Sequence, residues 1–174
     1  MNIIGQIIGF VAIGIASVIF LFNKRWQILT VKLITDILWA LHFFMTGNAT
    51  AAFTTGISIL REVLFIKKRY IAFLFILPAL YFCTLFFTYK NITSFIPPIA
   101  STLATVAFWN KKVNYIKLLS VAVSVLMFIY AVCNGSIAAT INEILVISTI
   151  VFSLIQSKIK KNKTADIEST IGEA

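Results

Sequence analysis

Lys32 and Asp36 lie four residues apart in TVKLITDILWALHFF (30–44), an otherwise oily run that also holds Trp39 and His42. Residues at that spacing sit one above the other on a helix, so a base and an acid there can form a net-neutral pair. Apolar surroundings make such pairing valuable. An ionisable side chain inside a membrane span costs about 2.5–3.5 kcal/mol on insertion scales, and it turns toward protein or water. Lys32 is near enough to one end of the run to extend its ammonium to the surface, whereas Asp36 is not. Two readings of Asp36 stand side by side. In one, the Lys32–Asp36 ion pair is a clamp that locks this helix against its neighbours. In the other, Asp36 and Trp39 line a central cavity, the acid accepting hydrogen bonds and the indole stacking on a ring. His42 falls about 120° off that face, toward the far end, where a packed or interfacial imidazole is expected rather than a proton relay.

Glu143, beside Asn142, is the other acid deep in an apolar run, with no basic residue near it in sequence. Its carboxyl must be protonated, paired across the bundle, or in water. Arg61 and Glu62 close another apolar run; adjacent residues point in different directions on a helix, so headgroup anchoring is expected ahead of a gate formed with a neighbouring helix. Pro97-Pro98 removes two backbone donors and predicts a kink that could serve as a hinge. Cys83 and Cys133 are isolated and read as buried free thiols. No nucleotide loop, nucleophile elbow, metal cluster or paired-carboxylate pattern appears, so neither enzymatic activity nor a metal or cofactor is expected.

The elements carrying these residues follow from composition. The chain of 174 residues is 60% hydrophobic and 12% charged, with a mean hydropathy of +0.97. A soluble domain of this length could not bury so much apolar surface. Apolar runs of about 18–22 residues match the ~30 Å of hydrocarbon that a helix must cross, and the alternating strands of a membrane β-barrel are absent. The sequence predicts an all-α integral membrane protein with seven spans at about 2–22, 27–46, 49–66, 70–89, 92–109, 113–133 and 137–157, followed by a basic and then disordered tail (158–174). The small-residue run NATAAFTTGIS (48–58) permits close helix approach in the third span.

The net charge of +9 has a topological explanation. With these spans, Lys24, Arg25, Lys32, Arg61, Lys67, Lys68, Arg69, Lys111, Lys112, Lys117 and the lysines after residue 157 share one side. Lys90 alone lies opposite. The positive-inside rule then gives N-terminus out and C-terminus in, and nucleic acid is not the implied partner; the lipid bilayer is.

FNKR (22–25) resembles WNKK (109–112), and TGNATAAF (46–53) resembles NGSIAATI (134–141), at offsets of 87 and 88 residues. Each half holds a basic loop, an apolar span, a glycine turn at Gly47 or Gly135, and an Ala/Thr-rich descent. The chain therefore divides into a triple-helix unit (1–66), a linker helix (67–91) and a second triple-helix unit (92–157). This 3-1-3 parallel pseudo-repeat is a known transporter plan, and it aligns Thr54 with Asn142 and Thr55 with Glu143.

Such a plan is similar to the SWEET sugar transporters and the wider PQ-loop group, although neither half contains a Pro-Gln pair and Pro97-Pro98 is the nearest equivalent. The Gly-rich first span, DILWALHF, TGNATAA and REVLF resemble the bacterial inner-membrane YgjV family, most strongly over residues 3–66. That resemblance implies a multi-pass protein of the bacterial inner (plasma) membrane rather than a particular activity. The SWEET likeness implies a polar residue from the third helix of each unit at a solute site, approximately Thr54 and Asn142. Two functions are consistent with these features. One is a small-solute transporter or facilitator working by alternating access, with Asp36, Trp39, Thr54, Asn142 and Glu143 at the site and Pro97-Pro98 as hinge. The other is a membrane receptor or an assembly or partner subunit without transport. A hydrated cavity touching both Asp36 and Glu143 would separate them. Substrate and oligomeric state are not encoded in any motif.

Overall fold

The computed structural model describes the backbone of residues 3–172 and the side chains of residues 3–159. The described residues are helical throughout, joined by short turns. The α-helices are α1 (Ile3–Ala16), α2 (Arg25–Met45), α3 (Ala49–Lys67), α4 (Phe73–Cys83), α5 (Leu85–Thr88), α6 (Ile96–Trp109), α7 (Val113–Cys133) and α8 (Ile137–Gly172), with 3₁₀ turns at Ile19–Leu21 and Ile92–Phe95.

Six helical segments are long and apolar enough to cross a membrane: Ile3–Leu21, Arg25–Met45, Ala49–Lys67, Ile92–Trp109, Val113–Cys133 and Ile137–Ile159. The expected span at 70–89 is instead a shorter apolar segment, Phe73–Thr88. It carries Pro78 inside α4 and breaks at Thr84. Proline removes one helical hydrogen bond and crowds the preceding turn, and the hydropathy of this stretch hid that interruption. At the other end, α8 continues to Gly172, so its backbone is helical where disorder was expected from Asn162 onward. No proline, and no glycine before Gly172, interrupts it, and its Lys, Ala, Glu and Ile residues tolerate helix well. Residues 173–174 lie outside the described residues.

The long helices form a closed ring. Around it, α1 packs on α2, α2 on α3, α3 on α6, α6 on α7, α7 on α8, and α8 returns to α1. Helix α4 lies outside, against α6 and α3. Apolar side chains such as Phe44, Phe53, Phe86 and Phe87 point outward, whereas Asp36, His42, Arg61, Glu62, Lys117 and Asn142 are buried. This distribution suits hydrocarbon outside and polar contacts inside. Cys83 and Cys133 are free, as expected, but exposed on the outer surface rather than buried.

Two connections are built alike. Helix α2 ends with Thr46 N–H donating to His42 O, Gly47 N–H to Phe44 O and Asn48 N–H to Phe43 O. Helix α7 ends with Asn134 N–H donating to Tyr130 O, Gly135 N–H to Val132 O and Ser136 N–H to Ala131 O. Gly47 has φ +77° and Gly135 has φ +66°, the left-handed geometry of a helix C-terminal cap. A Cβ would meet nothing within 4 Å at either glycine, which leaves backbone conformation as the whole cost. Gly47→Ala and Gly135→Ala are each expected to destabilise the protein by about 1–2 kcal/mol. Unfolding in detergent should give similar values for both, and a neutral effect would exclude a conformational role.

The prolines differ from expectation. Pro97 and Pro98 occupy the first turn of α6, where the missing N–H groups would have no helical acceptor in any case. They initiate α6 directly after the 3₁₀ turn, at the junction of two helical segments within the apolar span Ile92–Trp109 rather than inside an α-helix.

One end of the ring is tied by arginine. Arg25 donates through Nε (3.1 Å) and Nη2 (2.8 Å) to Phe108 O, and through Nη1 to Phe65 O at 3.0 Å. Arg69 Nη1 donates to Trp109 O at 2.7 Å. These carbonyls belong to the last turns of α3 and α6, which lack acceptors' partners within their own helices. The N-terminus of α2 and the C-termini of α3 and α6 are thereby gathered at the same end.

Candidate functional site: a polar cavity inside the ring

The ring surrounds a partly open cavity of about 120 Å³. Lys32, Asp36 and Trp39 reach it from α2, Thr55, Ser58 and Arg61 from α3, Ser101 and Phe108 from α6, Ser120 and Ser124 from α7, and Asn142 and Glu143 from α8. Asp36, eleven residues beyond the start of α2 at Arg25, lies about 16 Å along the helix axis, near the middle of a ~30 Å hydrocarbon layer.

Asp36 is 2% exposed and forms the ion pair with Lys32 expected from their spacing. It is also 4.0 Å from Arg61 Nη2. Arg61 itself is 1% exposed and Glu62 is wholly buried, contrary to the expectation that they anchor in the headgroups. They pair with one another: Arg61 Nη2 and Nε donate to Glu62 Oε1 at 2.6 and 3.1 Å. The long guanidinium side chain folds back far enough to overcome the angular separation of neighbouring helix positions. Its Nη1 donates to Ser101 O at 3.1 Å and to the Tyr81 hydroxyl at 3.4 Å, and its plane lies 5.1 Å from the Phe108 ring centre. Arg61 thus joins α2, α3, α4 and α6. Two cations and two carboxylates compensate one another, which is the condition under which buried charge is tolerated.

Glu143 is held differently. Asn142 Nδ2 donates to its Oε1 at 3.0 Å, and the Ser124 hydroxyl is a further hydrogen-bonding partner. No ion pair to Glu143 occurs among the described residues. Trp39 packs edge-on to His42 with ring centres 5.1 Å apart and stacks on Phe43 at 5.5 Å, so its indole is fixed. His42 does not line the cavity. It is fully buried, its Nδ1 2.8 Å from Gly5 O and its Nε2 3.4 Å from Ser136 Oγ; the carbonyl requires Nδ1 to be the donor.

Thr54 also lies away from the cavity. Its hydroxyl donates to Thr50 O and Ala51 O within its own helix, and Thr55, about 100° further round, lines the cavity instead. Lys117, read as a loop charge, is buried, with Nζ donating to Ser153 Oγ at 2.6 Å and Asn23 Oδ1 at 3.2 Å. Ser120 and Ser124 escaped notice as ordinary small residues. Their four-residue spacing on α7, matching that of Lys32 and Asp36 on α2, was a signal available in the sequence.

The family model Imp-YgjV, described as a bacterial inner membrane protein, matches residues 3–161. The chain belongs to this family. No curated protein matches it, and no solved structure does either. This Imp-YgjV chain is a multi-pass protein of the bacterial inner membrane, with its ionisable residues drawn inward around a shared cavity. Chemically, that cavity offers carboxylate and hydroxyl oxygens, one fixed indole and a pair of charge-compensated cations. Such groups can offer hydrogen bonds and ionic contacts to a polar molecule.

Proposed function

We propose that this Imp-YgjV chain is a small-solute transporter or facilitator. It works by alternating access between two triple-helix units, α1–α3 and α6–α8, with its N-terminus outside and its C-terminus inside. The carrying observation is the partly open cavity, which receives side chains from both units and touches both Asp36 and Glu143.

The parallel pseudo-repeat is supported by the cavity wall itself. Lining residues pair at the constant offset of 88: Ala16 with Ala104, Phe20 with Phe108, Lys32 with Ser120, Asp36 with Ser124, Trp39 with Met127, Thr55 with Glu143, and Ser58 with Val146. The same offset relates the capped turns at Gly47 and Gly135. It also relates α2 to α7, each of 21 residues. A cavity on the pseudo-twofold axis between two similar units is the plan expected of such transporters, in keeping with the SWEET and PQ-loop likeness. The chemistry is nevertheless unequal, with an ion pair on one side facing two serines on the other.

Arg61 provides a gating element in this reading. It contacts Glu62 at 2.6 Å and lies 4.0 Å from Asp36, while Glu62 Oε2 has no hydrogen-bond partner. A guanidinium between two carboxylates has two alternative arrangements of similar chemistry, the property required of a two-state element. Pro97 and Pro98 remain proposed as a hinge, located at the junction of the 3₁₀ turn and α6.

Purified protein in liposomes should carry at least one small polar solute faster than protein-free liposomes. Glu143→Gln should change that rate by at least about tenfold, as loss of a charge-assisted contact predicts. Flux equal to empty liposomes across a broad solute panel would favour a receptor or partner subunit instead.

A further inference from the structure

The charges around the cavity do not cancel completely. Lys32 is matched by Asp36 and Arg61 by Glu62, leaving Glu143 without a cationic partner among the described residues. The nearby charges of Lys32 and Asp36 act on it with opposite signs. A second polar atom beside it is also unmatched. Asn142 lines the cavity and is 6% exposed, yet its Oδ1 has no hydrogen-bond partner. The amide cannot simply be turned round, because Nδ2 is committed to the Glu143 carboxylate, which only accepts when ionised. Buried polar atoms are ordinarily satisfied, and an unsatisfied one calls for a missing partner.

We infer that the α8 side of the cavity, formed by Asn142 and Glu143 with Ser120 and Ser124 of the neighbouring α7, selects a small organic cation bearing N–H donors. The inference deepens the transport reading and rests on this cavity being the solute site. An anion would meet a carboxylate and an orphaned carbonyl. With Glu143 ionised, a neutral solute would satisfy hydrogen bonds but leave that charge uncompensated. An N–H-bearing cation supplies donors to Asn142 Oδ1 and to the serine hydroxyls while neutralising Glu143. Trp39, held rigid on the α2 side of the same cavity, adds an aromatic ring of the kind that attracts cations. The modest cavity volume limits the bound group to a few non-hydrogen atoms.

Guanidinium and urea test this directly, being of nearly the same shape and differing in charge. Calorimetric titration of the full-length protein in detergent should detect guanidinium binding, with urea at least about tenfold weaker. Glu143→Gln should weaken guanidinium binding by at least about tenfold while leaving urea unchanged, and Glu143→Asp should recover part of the loss. Asn142→Ala provides an independent variant, expected to weaken guanidinium binding while Glu143 remains in place. Equal affinity for the two probes, no detectable affinity for either, or guanidinium binding indifferent to both substitutions would overturn the inference. Guanidinium binding without flux in liposomes would retain the cation site and remove the transport function. Urea flux that guanidinium does not inhibit would do the reverse.

Discussion

Arg61→Met is expected to destabilise the protein by about 3–5 kcal/mol, the cost of breaking a buried ion pair by removing one partner. Met matches much of the arginine stem, so the loss should arise from charge rather than from an empty space. Glu62 would remain wholly buried with both guanidinium hydrogen bonds gone. Tyr81 OH and Ser101 O would also lose a donor. Asp36 would suffer less, because Lys32 still pairs with it. This asymmetry predicts the rescue. Adding Glu62→Gln to Arg61→Met should recover more than half the loss, since the uncompensated carboxylate disappears. Glu62→Gln alone should cost less than Arg61→Met, because Arg61 keeps Asp36 within 4.0 Å. Unfolding of all three variants in detergent, combined as a double-mutant cycle, measures the coupling. A loss below about 1 kcal/mol for Arg61→Met, the range of exposed pairs, would place the pair in a hydrated setting rather than in a dry interior.

The pairing that carries this prediction was not readable from residue spacing, whereas Lys32–Asp36 was. Four residues return a helix to nearly the same face, so that ion pair follows from local geometry. Adjacent positions diverge by about 100°, and only the surrounding helices make it favourable for Arg61 to curl back onto Glu62. Tyr81 and Ser101 are tertiary neighbours that no local pattern names. The same distinction separates the long helices from the interrupted one. Apolar length marked seven segments, and six of them are long enough helices, because the ~30 Å hydrocarbon thickness sets that length directly. The hydropathy of the fourth run said nothing of Pro78 or of the break at Thr84. Pro97-Pro98 was visible but misplaced, since a proline's effect depends on whether it falls inside a helix or at its first turn, and the boundary at Ile96 depends on the preceding 3₁₀ turn. At the cavity, Asp36, Trp39, Asn142 and Glu143 were identifiable as polar or aromatic groups in apolar runs. Thr54 was one position out, an error that turns a helical side chain to another face. Ser120 and Ser124 repeat the four-residue spacing of Lys32 and Asp36 at the 88-residue offset, but without charge nothing marks them out in an apolar run.

Gly9→Ala is expected to be the next most damaging single change, costing about 2–4 kcal/mol from overpacking together with disturbance of a buried hydrogen bond. A Cβ at Gly9 would lie 2.7 Å from His42 Nδ1 and 3.1 Å from Ala138 Cβ. The imidazole has little room to retreat, because Trp39 and Phe43 pack against it with ring centres at 5.1 and 5.3 Å. Moving it would also stretch the 2.8 Å contact between Nδ1 and Gly5 O. Gly9 therefore allows α1 to approach α2 and α8 closely enough for one histidine to join all three, the use of small residues that membrane helix packing favours. Replacing His42 by Ala should remove the obstruction, so Gly9→Ala combined with His42→Ala should cost less than the sum of the separate losses. The deficit from that sum should be at least about 1 kcal/mol, within the range for contacting residues. Strict additivity would show that the methyl is accommodated elsewhere. With the cavity as the proposed solute site, Trp39 extends the effect to binding. Its ring forms part of the cavity wall and rests edge-on against His42, so a displaced imidazole alters the site without touching Asp36 or Glu143. Solute binding by folded Gly9→Ala should therefore weaken, and restoration of binding in the double variant would tie that loss to the imidazole's position.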